Sequence, residues 1–331
     1  MSKYHGKRNT FTKQKRYSFL AFSVNSMNYL GEIAPKSTWG STKISSTRPG
    51  FTGTYGHRFG PRYTLRASLS YGRLFADDYK AADPNGDNSK YRYVRNASFR
   101  NDIWELSAVA VIDLFKNQGS YLSRVDLTPY LLAGVALFYH NPKAKVPETY
   151  VLPADPGQQY AFPNAGEWVA LRPLGTEGQY ANLDPSDANY GIKPYKLIQF
   201  AIPVGLGVRY RLADALDISF DVSARILFTD YIDDVSRNYV DLGVLDSDLA
   251  RAMSNRSRDP LSANGEPRDI SNWGTATYTG RDGVVYEIIN GFGLEHPSNN
   301  RGGSKANDMY FVTSLRIAYI IGAKFRRAKY R

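Results

Sequence analysis

Between Gln199 and Phe228 every second residue is apolar, and this alternation constrains the fold more than any other feature of the chain. Phe200, Ile202, Val204, Leu206, Val208 and Tyr210 form one row; Gln199, Ala201, Pro203, Gly205, Gly207 and Arg209 form the other. A turn at Leu212–Ala215 reverses the chain, after which Ile218, Phe220, Val222, Ala224, Ile226 and Phe228 alternate with Asp217, Ser219, Asp221, Ser223 and Arg225. A period of two puts the rows on opposite faces of a strand. One such hairpin suits a soluble sandwich as well as a membrane barrel. Recurrence separates them: the pattern returns at about ten residues per strand, with connections alternately short and long, which is the rhythm of a transmembrane barrel.

Tyr17–Tyr29, Pro49–Phe59 and Tyr63–Arg73 read as the first three strands, with a tight turn at Gly60-Pro61. Asp102–Phe115 and Asp126–His140 are the fourth and fifth, the opening hairpin supplies two more, and Met309–Ile321 is the last. Long connections fall near 30–47, 75–101, 141–193 and 229–307. The third holds Pro142, Pro147, Pro153, Pro156, Pro163, Pro173 and Pro185. Proline cannot donate to a strand ladder, so this stretch is a loop or a folded cap. A short helix is expected near Leu245–Met253. The fold expected is therefore all-β: an eight-stranded antiparallel up-and-down transmembrane β-barrel over 17–322 with long extracellular loops, flanked by a basic periplasmic tail, 1–16, and a basic C-terminal tail, 323–331.

An eight-stranded barrel has an interior only just wide enough for side chains. The inward rows offer Arg66, Arg209, Arg225 and Arg316 against Glu105, Asp113, Asp217 and Asp221. Buried charges must be paired or solvated, so an ion-pair network that plugs the lumen is expected, rather than a general pore. At the short turns, Arg58, Arg62, Lys116 and Arg211 are candidate contacts for a periplasmic partner.

Composition agrees with a barrel and removes several alternatives. The 331 residues include no cysteine, which excludes disulfides, thiolate nucleophiles and zinc-thiolate sites. The 25 tyrosines and 16 phenylalanines suit aromatic girdles at two membrane interfaces. A mean hydropathy of -0.43 is no objection, because only alternate strand positions need be apolar. No apolar run reaches the length of about 18 residues that a spanning helix needs.

The net charge of +11 comes mostly from Lys3, Lys7, Arg8, Lys13, Lys15 and Arg16 at one end and Lys324, Arg326, Arg327, Lys329 and Arg331 at the other. In a barrel of even strand number both ends emerge on one side, beside anionic lipid headgroups or an acidic partner. Neither end carries a nucleic-acid-binding motif, so no nucleic-acid partner is expected. Residues 1–16 lack the apolar stretch of a secretory signal, so export implies a leader upstream.

Residues with chemical potential are few. His57 and His140 could serve a lipid-modifying enzyme at a barrel rim, but they fall at opposite rims, which argues against a shared Ser-His-acid site; an interfacial role is preferred. Asp83-Pro84-Asn85-Gly86-Asp87-Asn88 resembles a calcium loop without its bidentate Glu, and reads as a turn. Asp230, Asp233 and Asp234 are of the kind that hold a hard cation, although strand-end solvation or loop hydrogen bonding is the simpler reading. No cofactor site is expected, and no glycine-rich nucleotide loop has the required strand-turn-helix context.

Several stretches also resemble a known family. Asn28-Tyr29-Leu30-Gly31, Thr47-Arg48-Pro49-Gly50, His57-Arg58-Phe59-Gly60-Pro61-Arg62-Tyr63, Ala81-Ala82-Asp83-Pro84, Arg95-Asn96-Ala97-Ser98-Phe99-Arg100-Asn101, Tyr190-Gly191-Ile192-Lys193-Pro194-Tyr195, Phe228-Thr229-Asp230-Tyr231-Ile232-Asp233-Asp234-Val235 and Glu295-His296-Pro297 are similar to those of PorG-type outer-membrane proteins of the Bacteroidota, associated with the type IX secretion system. The resemblance implies a non-enzymatic component of the cell outer membrane that contacts lipid and tethers a periplasmic ring of a lipoprotein and its partner. The alternatives are a general anchor or adhesin acting through its outer loops and, remotely, a lipid-modifying enzyme.

Overall fold

The computed structural model describes residues 11–33, 46–86, 89–151, 158–303 and 306–321. Most of both expected basic tails, much of the first long loop, and Asp87 and Asn88 lie outside these residues.

Eight antiparallel strands form the body: β1 (Tyr17–Leu30), β2 (Arg48–Arg58), β3 (Tyr63–Asp77), β4 (Ser98–Asp113), β5 (Leu127–Tyr139), β6 (Ile198–Arg211), β7 (Leu216–Leu227) and β8 (Met309–Ile320). Each pairs with its neighbours in sequence, and β8 returns to β1 with Phe19 opposite Ile320 and Leu30 opposite Met309. The sheet closes on itself. Two stacked sheets are thereby excluded.

Alternation decides which face each residue takes. Along β4, Asn101, Ile103, Glu105, Ser107, Val109, Val111 and Asp113 are buried, while Trp104, Leu106, Ala108, Ala110 and Ile112 face out. The outward row is apolar on every strand, from Leu20 and Phe22 on β1 to Leu315 and Ile317 on β8. Leu106, Val135, Phe200 and Leu206 are 62–63% exposed, so water would meet a continuous greasy band; this is the surface that hydrocarbon covers in a transmembrane barrel. Aromatic residues border it. Phe59, Tyr63, Phe115 and Tyr319 lie toward the short-turn rim; Phe51, Trp104, Tyr139 and Phe228 lie toward the long-loop rim. Among the described residues no helix is long and apolar enough to cross a membrane.

Local chemistry sets the breaks. Phe59 and Gly60 donate to the Tyr63 carbonyl to close the Gly60-Pro61 turn. Pro203 has no N–H to give, and the β5–β6 ladder lapses at Ile202–Pro203 between the Ala201–Ala136 and Val204–Ala133 pairs. Gly134 is required beside that gap: a Cβ there would stand 2.2 Å from the Ala108 carbonyl oxygen.

The strand map differs from expectation mainly at one hairpin. β3 and β4 continue past Arg73 and Asp102, pairing as far as Asp77 with Ser98, so the second long connection is shorter than 75–101. Ala76 and Phe99, buried beneath the cap, extend these strands into what reads as polar loop. The remaining long connections fold into that cap. It contains helix α1 (Asp78–Ala81), helix α2 (Lys90–Arg95), a hairpin of Lys143–Lys145 with Trp168–Ala170, and a hairpin of Thr275–Thr279 with Val285–Ile289. Helix α3 (Asp248–Ser254) lies where a helix is expected near 245–253, capped by the Ser247 side chain. Asp83–Gly86 forms a turn, with Asn85 and Gly86 donating to the Asp83 side chain and carbonyl.

Candidate functional site

The lumen is filled by charged layers. Nearest the short turns, Arg124 reaches in from the 114–126 connection and donates to Asp217 at 2.7 Å and to the Ala213 carbonyl at 2.8 Å. Above it Asp113 accepts from both Arg58 and Arg209 at 2.7 Å. Mid-barrel, Asp221 accepts from Arg316 at 2.7 Å and from the Tyr130 hydroxyl at 2.9 Å, with Arg66 3.6 Å away. The Arg66 guanidinium also lies over the Tyr130 ring, 4.9 Å from its centroid. The next layer is a forked pair in which Arg225 donates to both Glu105 oxygens at 2.9 and 3.0 Å while Tyr310 donates to Oε2.

Period two places all eight expected lumen charges on the inner face, and Arg66, Arg209, Arg225, Arg316, Glu105, Asp113, Asp217 and Asp221 each stand in one of these layers. About 40 Å³ remains between Arg66, Asp221, Arg225 and Arg316, enough for a water or two. Over the top layer, Met27, Ile103 and Phe138 form an apolar stopper beneath the cap.

Arg58 requires a correction. Only 2% exposed, it turns inward onto Asp113 and the Pro61 carbonyl and cannot meet a periplasmic partner. Its parity with Thr52 and Thr54, both buried, carried that signal. Arg211 is largely engaged as well, donating to the Leu122 carbonyl and to Asp214. Lys116 is exposed and Arg62 half-buried at the short-turn rim. Arg124 was missed because a turn residue has no periodicity to reveal its direction.

The histidines are far apart in role. His57 faces out near the short turns, 2.9 Å from the Ser18 hydroxyl. His140 is buried under the cap, stacked on Tyr195, with Nε2 3.0 Å from the Lys196 carbonyl. Burial pushes its pKa down to about 4, so it stays neutral at physiological pH.

At the outer mouth the cap is tied by buried charge. Arg95 forks onto Asp78 and also donates to the Arg301 and Glu32 carbonyls. Arg301 pairs with Glu177 at 3.0 Å, and Glu177 also accepts from the Ser236 and Arg237 amides. Asn96 and Asp234 take left-handed backbone at φ 56 and 68, positions that short polar side chains tolerate best. These ties join loops distant in sequence, which pattern reading cannot pair.

The three aspartates after β7 part company. Asp234 accepts from Tyr195 and Thr176, while Asp233 accepts from Tyr29 and the Val235 amide. Asp230 instead turns toward Glu32 and Asp308. Burial, with Asp233 and Glu177 nearby, pushes Asp230 up to about 7, although the Ser236 side chain favours its ionised form. Glu32 is raised to about 7 by burial and by Asp230.

Comparison with known proteins adds similarity of two kinds. A family model described as "Domain of unknown function (DUF6089)" matches residues 10–164. No curated protein matches the chain. Among solved structures, Neisserial surface protein A is 8% identical at a TM-score of 0.35, covering 91% of this chain and 96% of that one. OprG from Pseudomonas aeruginosa is 9% identical at 0.35, covering 94% and 98%. Ail, the attachment invasion locus protein of Yersinia pestis, is 7% identical at 0.32, covering 93% and 99%.

Proposed function

We propose that this chain is a closed, non-catalytic anchor of a bacterial outer membrane, working through its two rims rather than through its lumen. The observation that carries this is the stack of four charged layers under an apolar stopper and a packed cap. A pore would leave a water-filled path, and a rim hydrolase would need a nucleophile, base and acid converging. His140, neutral and covered, meets the Lys196 carbonyl and the Tyr195 ring instead.

For the partner we propose a periplasmic ring of a type IX secretion system, built from a lipoprotein and its companion and bound at the short-turn rim. Support comes from the sequence resemblance and from Arg62 and Lys116, which stand at that rim outside the lumen lattice. The general anchor or adhesin reading draws on the size of the cap, which takes in most of 141–197 and 228–308. One experiment separates them. In affinity purification from native membranes, Arg62→Glu with Lys116→Glu should release the ring proteins, while removal of 141–193 should leave them bound. Retention of the ring by the rim variant, or its loss on cap removal alone, would contradict the tether.

A further inference from the structure

We infer that the outer mouth holds a calcium ion between Glu32, Asp230 and Asp308, a site that pins the base of the last long loop to the start of the first. Glu32 lies two residues beyond β1, Asp230 three beyond β7, and Asp308 immediately before β8. Because β7, β8 and β1 are neighbours in the barrel, three residues distant in sequence converge on one stretch of rim. One carboxylate oxygen from each lies within 4.8 Å of the others, a separation that oxygens around a cation with bonds of about 2.3–2.6 Å can adopt.

Independent support comes from what Asp230 lacks. It is 9% exposed, and neither carboxylate oxygen receives a well-formed hydrogen bond, the Ser236 side chain standing near without completing one. Glu32 Oε2 is likewise covered and without a donor. Other buried acids of the cap are served: Asp78 has the Arg95 fork and the Ala97 amide, Glu177 has Arg301 and two amides, and Asp234 has Tyr195 and Thr176. The nearby cation, Arg95, gives its guanidinium to Asp78 and to backbone carbonyls. A buried carboxylate without donor or counter-charge must take up a proton or a cation.

The surroundings hold the ligands in place. Asp308 accepts from the Ile232 amide at 2.9 Å and from Tyr29 at 2.6 Å, and the same hydroxyl stands 2.8 Å from Asp233. One hydroxyl proton cannot satisfy both acids, so without metal this nest of Glu32, Asp230, Asp233 and Asp308 retains shared protons. Gly31 is fixed by the same crowding: a Cβ there would lie 2.2 Å from Asp308 Oδ1. An all-oxygen, irregular set with Glu32 half open to solvent suits calcium, which accepts six to eight oxygens and can complete its shell with water. Magnesium demands near-octahedral geometry, and zinc prefers nitrogen or sulfur.

The test is calorimetric titration of chelator-treated, refolded full-length chain with calcium chloride. One ion should bind per chain, magnesium should compete poorly, and binding should weaken as acid restores protons to Glu32, Asp230, Asp233 and Asp308 beside Arg95 and Glu177. Asp230→Asn should weaken calcium by roughly tenfold or more, while Asp214→Asn at the opposite rim should not. Calcium should also slow proteolysis of the outer cap in the unaltered chain and not in Asp230→Asn. If that variant fails to fold, Glu32→Gln at the half-open edge supplies the same comparison. Absence of calcium heat, or equal affinity in the variants, would mean that protons alone settle the nest and would overturn the proposal.

Discussion

Arg225 and Glu105 show what a single lumen residue contributes. Removing one partner of a buried pair leaves an uncompensated charge, at a cost of about 3–5 kcal/mol, whereas replacing both by apolar residues of similar volume is often neutral. Glu105→Gln should therefore lower the urea midpoint of barrel unfolding in lipid, followed by the loss of heat-modifiable gel migration. The double replacement Glu105→Leu with Arg225→Met should recover most of that loss. An unchanged midpoint in Glu105→Gln would show that the layer carries no stability. At this scale direction was legible and partnership was not. Parity along β4 and β7 placed Glu105 and Arg225 inside, but which acid meets which arginine depends on heights across the barrel, and no local pattern encodes that. Asp230 illustrates the same limit: its carboxylate character was visible, while its neighbour Asp308 comes from the far end of the same long loop and Glu32 from the start of the first.

The strand is the scale at which the sequence spoke most clearly. Every barrel strand repeats an apolar outer row, so strand number, order and facing follow from period two and alternating loop lengths. Ends were less clear, because β3 and β4 rise beyond the membrane band and lose the apolar outer row that reveals them. Ala76 and Phe99 pack inward under the cap instead. The band itself predicts a depth dependence. Ala110→Arg, midway between Trp104 and Phe115 in the outer row of β4, should destabilise the barrel by about 2–4 kcal/mol in bilayers, whereas an arginine at Phe115, beside the rim, should cost much less. Equal effects at the two positions, measured by the same urea midpoint, would argue against a hydrocarbon environment around Ala110.

On the scale of the whole molecule, closure and sealing are separate achievements. Closure follows from β8 meeting β1; sealing follows from the charged layers, the stopper of Met27, Ile103 and Phe138, and the cap. The cap was the least legible part, since its clusters join Tyr93 with Ile289 and Leu171 with Met253 across long separations. Its Gly, Pro and Asn content reads as loop even where the fold is packed. The central claim is a barrel greasy outside and sealed within, and the chain's lack of cysteine permits a direct test by single-cysteine scanning in lipid vesicles. Leu106→Cys, Val135→Cys and Leu206→Cys, carrying a fluorophore attached in detergent before reconstitution, should be quenched strongly by lipid-borne quenchers. Ser107→Cys and Ser223→Cys should resist a water-soluble maleimide that labels Ser298→Cys on the cap. Rapid aqueous labelling at 107 and 223, or lipid quenching no stronger at 106, 135 and 206 than at 298, would contradict the account.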